Sequence, residues 1–214
     1  SEDQLSVTYG HYAGSGSVDT TGNLNNDTPS RAIYKQYAQL LLEPNDKKFT
    51  FNGVDSDQIY VLNFNRARLR EQLDVGNFEI TLMDMDAGTP ASPYRTGSDQ
   101  FVQIIDDSST QVGSVGSAGK VYNLVSGSID GGTDIYNSAS PTYFGLLYPQ
   151  YGIAVLNGDQ LNLSASAGGI GLGTYASSSI EGNNPIRLFT SLALSDANTP
   201  AAINGGVQAR SSEN

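Results

Sequence analysis

Between Ile59 and Phe64 the chain places Tyr60, Leu62 and Phe64 at one parity and Ile59 and Val61 at the other. Successive side chains of a strand point to opposite faces, so a strand here is apolar on both. Such a strand has to be covered twice. A sheet with one face in water does not satisfy it, and the rest of the chain must supply a layer on each side.

Other segments carry strand patterns of their own. Leu5, Val7 and Tyr9 alternate with polar residues, and Phe49 to Phe51 forms a short run ending at Asn52-Gly53. Phe78 to Leu82, Phe101 to Ile105, Val121 to Val125, Tyr143 to Leu147 and Ile153 to Leu156 are bounded by Gly, Pro, Asn or Ser. Gln160 to Ser166, where Leu161 and Leu163 alternate, is a further candidate. The spacing predicts two short helices. One is capped by Thr28, starts at Pro29 and stops before Pro44, with Ile33, Tyr34, Tyr37, Leu40 and Leu41 on one face. The other opens at Asn184-Pro185, with Ile186, Phe189 and Leu192 one turn apart. Leu69 and Leu73, four apart, leave a short helix and a continued strand both open. Gly10 to Asn26 reads as a long Gly- and Ser-rich loop, and the tail from Ser195 as polar and loose. The expected class is therefore α+β, mainly β. No internal repeat or clean linker stands out, so residues 1–214 read as one structural unit that could divide only near 88–100.

Composition narrows the function. Charged residues are 15% of the chain, against about 25% in ordinary domains. With 22 acidic and 11 basic residues the formal net charge is -11. That balance repels phosphate backbones and argues against nucleic acid as a partner. Few charges and 12 Tyr suit surfaces that other subunits cover. There is no cysteine, hence no disulfide or thiolate chemistry. Ser1-Glu2-Asp3 opens acidic without a following apolar run, unlike a secretory leader. The most apolar stretch, Tyr143 to Leu156, is broken by Gly145, Pro149 and Gly152, so no membrane insertion is expected.

The candidate chemistry is sparse. The one histidine, His11, lies in a Gly- and Ser-rich segment with no nucleophile or orienting carboxylate beside it, and reads as a surface or turn residue. Asp84-Met85-Asp86-Ala87-Gly88 resembles the start of a calcium loop, but its Gly comes early and no distal Glu follows. Asp106-Asp107 and Asp55-Ser56-Asp57 read as solvated acidic turns. Gly168-Gly169-Ile170-Gly171-Leu172-Gly173 lacks the Lys-Ser/Thr of a phosphate loop and reads as a flexible turn. No catalytic site, metal site or cofactor is expected, and the chain is read as a non-enzyme. The candidate subunit interface is Arg66, Arg68 and Arg70, with Tyr34 and Tyr37. Guanidinium groups suit carboxylates on a neighbouring subunit, though a solvated edge neutralised by Glu71 fits the Arg run equally. The two tyrosines fit either the core or a partner, burial being the commoner fate.

One longer resemblance lies in the order of segments. SRAIYKQYAQLLLEPNDKKFTFNGVDSDQIYVLNFNRARLREQLDVGNFEITL is followed by KVYNLVSGSIDGG, SPTYFGLLYPQYGIAVLNGDQLN, IRLFTSLALS and QARSSE. This succession, from Tyr9 to Glu213, resembles a virion structural protein of T4-like contractile-tailed phages of marine cyanobacteria. The resemblance implies a multi-copy tail or baseplate wedge component that works through contacts with other virion tail and baseplate subunits. It also implies a partial chain, because the family continues past the QARSSE segment. The competing expectation is a carbohydrate-binding or adhesin β domain of a tail fibre or secreted protein, which the absence of Trp weakens.

Overall fold

A computed structural model describes residues 5–14, 29–65, 72–83, 101–172, 185, 188, 189, 191, 192, 208 and 209. Of these, 46% are strand and 19% helix, the mainly-β α+β class expected from the sequence. The strands are β1 (Leu5–His11), β2 (Phe49–Phe51), β3 (Val54–Ser56), β4 (Gln58–Phe64), β5 (Phe78–Met83), β6 (Phe101–Asp106), β7 (Ser114–Gly116), β8 (Gly119–Asp130), β9 (Thr133–Tyr136), β10 (Tyr143–Tyr148), β11 (Ile153–Asn157) and β12 (Gln208–Ala209). The helices are α1 (Pro29–Leu41) and α2 (Gly158–Asn162). One ten-stranded sheet runs β1-β4-β11-β10-β8-β6-β5-β12, with β7 and β9 also on β8, and every pairing is antiparallel. β2 and β3 form a separate hairpin across Asn52-Gly53.

β4 is covered on both faces, and each layer has its own core. Ile59 and Val61 lie under α1 and the β2–β3 hairpin, with Tyr34, Leu41, Phe49 and Phe51. Tyr60, Leu62 and Phe64 face a second core holding Phe78, Ile80 and Leu82 of β5. β4 and β5 lie far apart in the strand order, yet the Phe64 and Phe78 rings meet edge to face at 5.6 Å. That contact requires the sheet to curl over into a half-barrel, the accumulated effect of strand twist. β5 and β6, on either side of the 88–100 region, pair from Glu79–Ile105 to Met83–Phe101.

Several elements depart from the sequence expectation. β1 runs on to His11, and both Gly10 and His11 are buried. A Cβ on Gly10 would lie 3.0 Å from the backbone of Tyr34, so glycine is what lets α1 cross this strand closely. On α1 the buried face is Ser30, Tyr34, Ala38 and Leu41, leaving Leu40 exposed; Thr28 lies outside the described residues. Gln160 to Ser166 is not a strand. Asn157 accepts the Gln160 amide at 3.2 Å and starts α2 instead, burying Leu161 and exposing Leu163.

The glycine-rich run is not a free turn. It folds back on α2, where Gly169, Ile170, Gly171 and Leu172 donate to Ser164, Leu161, Leu163 and Leu161 carbonyls. A Cβ on Gly169 would lie 2.1 Å from the Leu163 oxygen, and Ile170 and Leu172 are fully buried. Near the C-terminus Pro185, Leu188, Phe189, Ser191 and Leu192 are helical. Leu188, Ser191 and Leu192 are buried while Phe189 points out, so the inner face is rotated from the expected one; Ile186 is outside the described residues. Ser191 Oγ anchors that helical stretch by donating to the Met83 carbonyl at 2.6 Å.

Candidate interaction surface

The residues expected at a subunit interface have separate fates. Tyr34 is fully buried within one chain. Its hydroxyl donates to the Ser56 carbonyl at 2.7 Å and accepts the Phe49 amide at 3.0 Å, bolting α1 to the β2–β3 hairpin. Burial pushes its hydroxyl up to about 12. Tyr34 is therefore a core residue with no surface to offer a partner. Tyr37, half-buried on α1, accepts from Asn63 Nδ2 at 2.8 Å. Arg66, Arg68 and Arg70 lie outside the described residues, just beyond the end of β4 at Phe64. Asp84 and Asp86 are also outside them, and no group of metal-ligating side chains occurs among the described residues.

The acidic side chains are used differently from the solvated turns that their sequence suggests. Asp106 and Asp107 are both buried, at 1% and 3% exposure. Asp106 accepts the Gly76 amide at 2.9 Å and the Ser108 amide at 3.1 Å. Asp107 accepts the Asn123 amide at 3.0 Å and Asn123 Nδ2 at 2.7 Å. β6 stops pairing with β8 at Leu124, and β7 takes up the same strand again at Val121. Asp107 thus satisfies the β8 amide left open where the two ladders are interrupted. Burial pushes the Asp107 carboxyl up, while the Asn123 bonds pull it down. Burial likewise raises Asp134.

The same device recurs elsewhere. Glu79 accepts the Ile129 amide at 2.8 Å, and Glu43 accepts the Ser117 amide at 2.6 Å and its hydroxyl at 2.7 Å. Those bonds hold the Glu43 carboxyl below its usual range. Asp159, in the first turn of α2, accepts the Ser56 hydroxyl, the Asp57 amide and Gln58 Nε2, each at 2.9 Å. Beside it His11 is nearly buried, not on the surface as its sequence context suggests. The Ala13 amide donates to its Nδ1 at 3.1 Å, and burial lowers its proton affinity.

Glu43 holds the turn before β8, Asp107 holds Asn123 within it and Glu79 holds Ile129 near its end, and the hairpins formed on β8 expose apolar side chains. Val112 and Val115 are 81% and 78% exposed, in a stretch from Ser108 to Gly119 that carries no charge. Ile135 of β9 and Val54 of the β2–β3 hairpin are exposed as well. The hydroxyls of Thr110 and Tyr136 are in hydrogen-bond contact, tying the segment before β7 to β9. Fixed backbone with uncharged, apolar tips suits protein contact. The sequence hid this surface because each valine stands alone between Gly, Ser and Gln, without periodicity. No protein-family model, no curated protein and no solved structure matches this chain.

Proposed function

We propose that the chain is a structural subunit of a contractile-tailed bacteriophage virion, from the tail baseplate, acting through protein–protein contacts in several copies. The observation that carries the protein-contact part is the uncharged β7 region, with Val112 and Val115 almost wholly exposed on backbone anchored by Asp107 and Glu43. Isolated valines at such exposure leave apolar area in water that a neighbouring subunit would remove, at about 25 cal/mol per Å2 covered. Low charge content supports the same reading, because desolvating such a surface costs little. The placement in a phage tail is supported by the order of sequence segments quoted above. The Arg66, Arg68 and Arg70 run, in an otherwise acidic chain, offers a second contact of opposite chemistry.

The test is assembly of a Val112→Ser, Val115→Ser double variant. It should fold with an unchanged melting midpoint yet enter the assembly less well than wild type. Full assembly would remove these valines from the contact. Binding of a soluble oligosaccharide by the isolated chain would favour the adhesin reading instead.

A further inference from the structure

Among the described residues β1 is the last strand of the sheet on its side, pairing with β4 alone. The Tyr12 amide donates to the Asp57 carbonyl at 2.8 Å in the continuation of the β1–β4 register. Even-numbered residues here therefore turn their backbone groups to β4, and Leu5, Val7 and Tyr9 turn theirs outward. At His11 the edge is closed, because the Gly14 amide takes the His11 carbonyl at 3.0 Å. Among the described residues no segment pairs with the outward groups of Leu5, Val7 and Tyr9.

Edges of this length are normally blunted by lysine, proline or a bulge. β1 has none of these, its register with β4 is unbroken, and residues 4–18 carry no charged side chain apart from titratable His11. Leu5 and Val7 pack on the core yet stay partly exposed; Ser6, on the other face, is exposed.

We propose that this edge is a contact between two copies of the chain, paired antiparallel about a twofold axis at Val7. The sequence pattern selects a second copy as the occupant. Leu5-Ser6-Val7-Thr8-Tyr9 runs apolar, hydroxyl, apolar, hydroxyl, apolar in either direction. An isologous pairing sets Val7 on Val7, Leu5 on Tyr9 and Ser6 on Thr8 of the second copy, all matched cross-strand pairs. In a chain of net charge -11, an uncharged strand is also where two copies approach with least repulsion. The two half-barrels then share one continuous sheet. The contact is small, and dissociation constants on the order of tens of micromolar are expected. It deepens the multi-copy reading above and needs no particular virus.

The experiment is sedimentation of wild type and Val7→Pro over about a hundredfold range of concentration, with circular dichroism to confirm folding. Proline at Val7 removes an outward amide and leaves the β4 ladder whole. The dimer should weaken by at least about tenfold, the equivalent of losing the central pair of bonds. A folding-independent check uses the absence of native cysteine. Residues paired in this way have Cα atoms about 5.5 Å apart, within disulfide range. Under oxidised glutathione, Val7→Cys should therefore form covalent dimers faster than Leu163→Cys, whose site is exposed and lies in neither proposed contact. Equal cross-linking rates, or a Val7→Pro dimer as tight as wild type, overturn the proposal. Larger assemblies untouched by Val7→Pro would sink the β1 contact while leaving the multi-copy reading in place. A wild-type chain monomeric throughout would remove both.

Discussion

Asp107 takes over the work of a missing stretch of strand. The β6 ladder ends, the chain bulges outward before β7, and a carboxylate fills the gap opposite Asn123. Asp107→Ala removes both acceptors and leaves the Asn123 backbone amide without its partner. A buried donor left unsatisfied costs about 1–3 kcal/mol, which a denaturant titration would read as a lower midpoint; an unchanged midpoint would show the bond to be incidental. His11 gives a pH prediction. Its Nδ1 accepts the Ala13 amide and burial lowers its pKa, so the fold prefers the neutral ring. A depressed histidine pKa lets the unfolded chain bind the proton more readily. Stability is then complete above about 6.5, the ordinary value for an exposed imidazole, and falls as the pH drops below it. His11→Asn keeps an acceptor for Ala13 and should flatten that part of the profile, measured by melting midpoint against pH. Neither role was legible in the sequence. An Asp-Asp pair before Ser-Ser-Thr reads as a wet turn, because the amides it serves lie on strands the chain has not yet formed.

Among the elements, those whose side-chain period decides their fate were readable, and those fixed by a distant neighbour were not. β4, β5, β6, β10 and β11 sit within a residue or so of their expected bounds because their apolar runs are long and their ends are marked by turn residues. β7 and β9 have no such pattern; they exist because β8 extends past the core and offers an edge to each. The alternation of Leu161 and Leu163 points to a strand over Gln160 to Ser166, where α2 and the turn after it form instead. The deciding group was Asn157, whose side chain caps the first turn. The strongest element-scale test is Val61→Asp. Val61 is fully buried on β4 beneath α1, and an unpaired carboxylate there costs more than about 4 kcal/mol, against a total stability of about 5–15 kcal/mol. The variant should fail to fold, seen as loss of cooperative melting. A cooperative transition at the wild-type midpoint would contradict the two-sided placement of β4.

At the scale of the whole molecule, the doubly apolar β4 required two covering layers, and the half-barrel supplies them by different means. One layer is a helix and a hairpin; the other is the curl of the sheet upon itself. The curl was not legible, since it depends on how far twist accumulates over many strands. The surface divides the same way. The sequence left Tyr34 to the core or a partner, with burial the commoner fate, and it lies inside; the sequence could not distinguish Val112 and Val115 from the loop residues around them. What the molecule presents outward is an acidic but sparsely charged body with apolar hairpin tips and, among the described residues, an unpaired edge at β1. The most direct test of the account is the mass of the native material, by light scattering and imaging of the particles that contain it. A subunit of a phage tail should be found in a large symmetric assembly. A stable monomer at high concentration, binding a small ligand in a cleft of its own, would contradict the structural role.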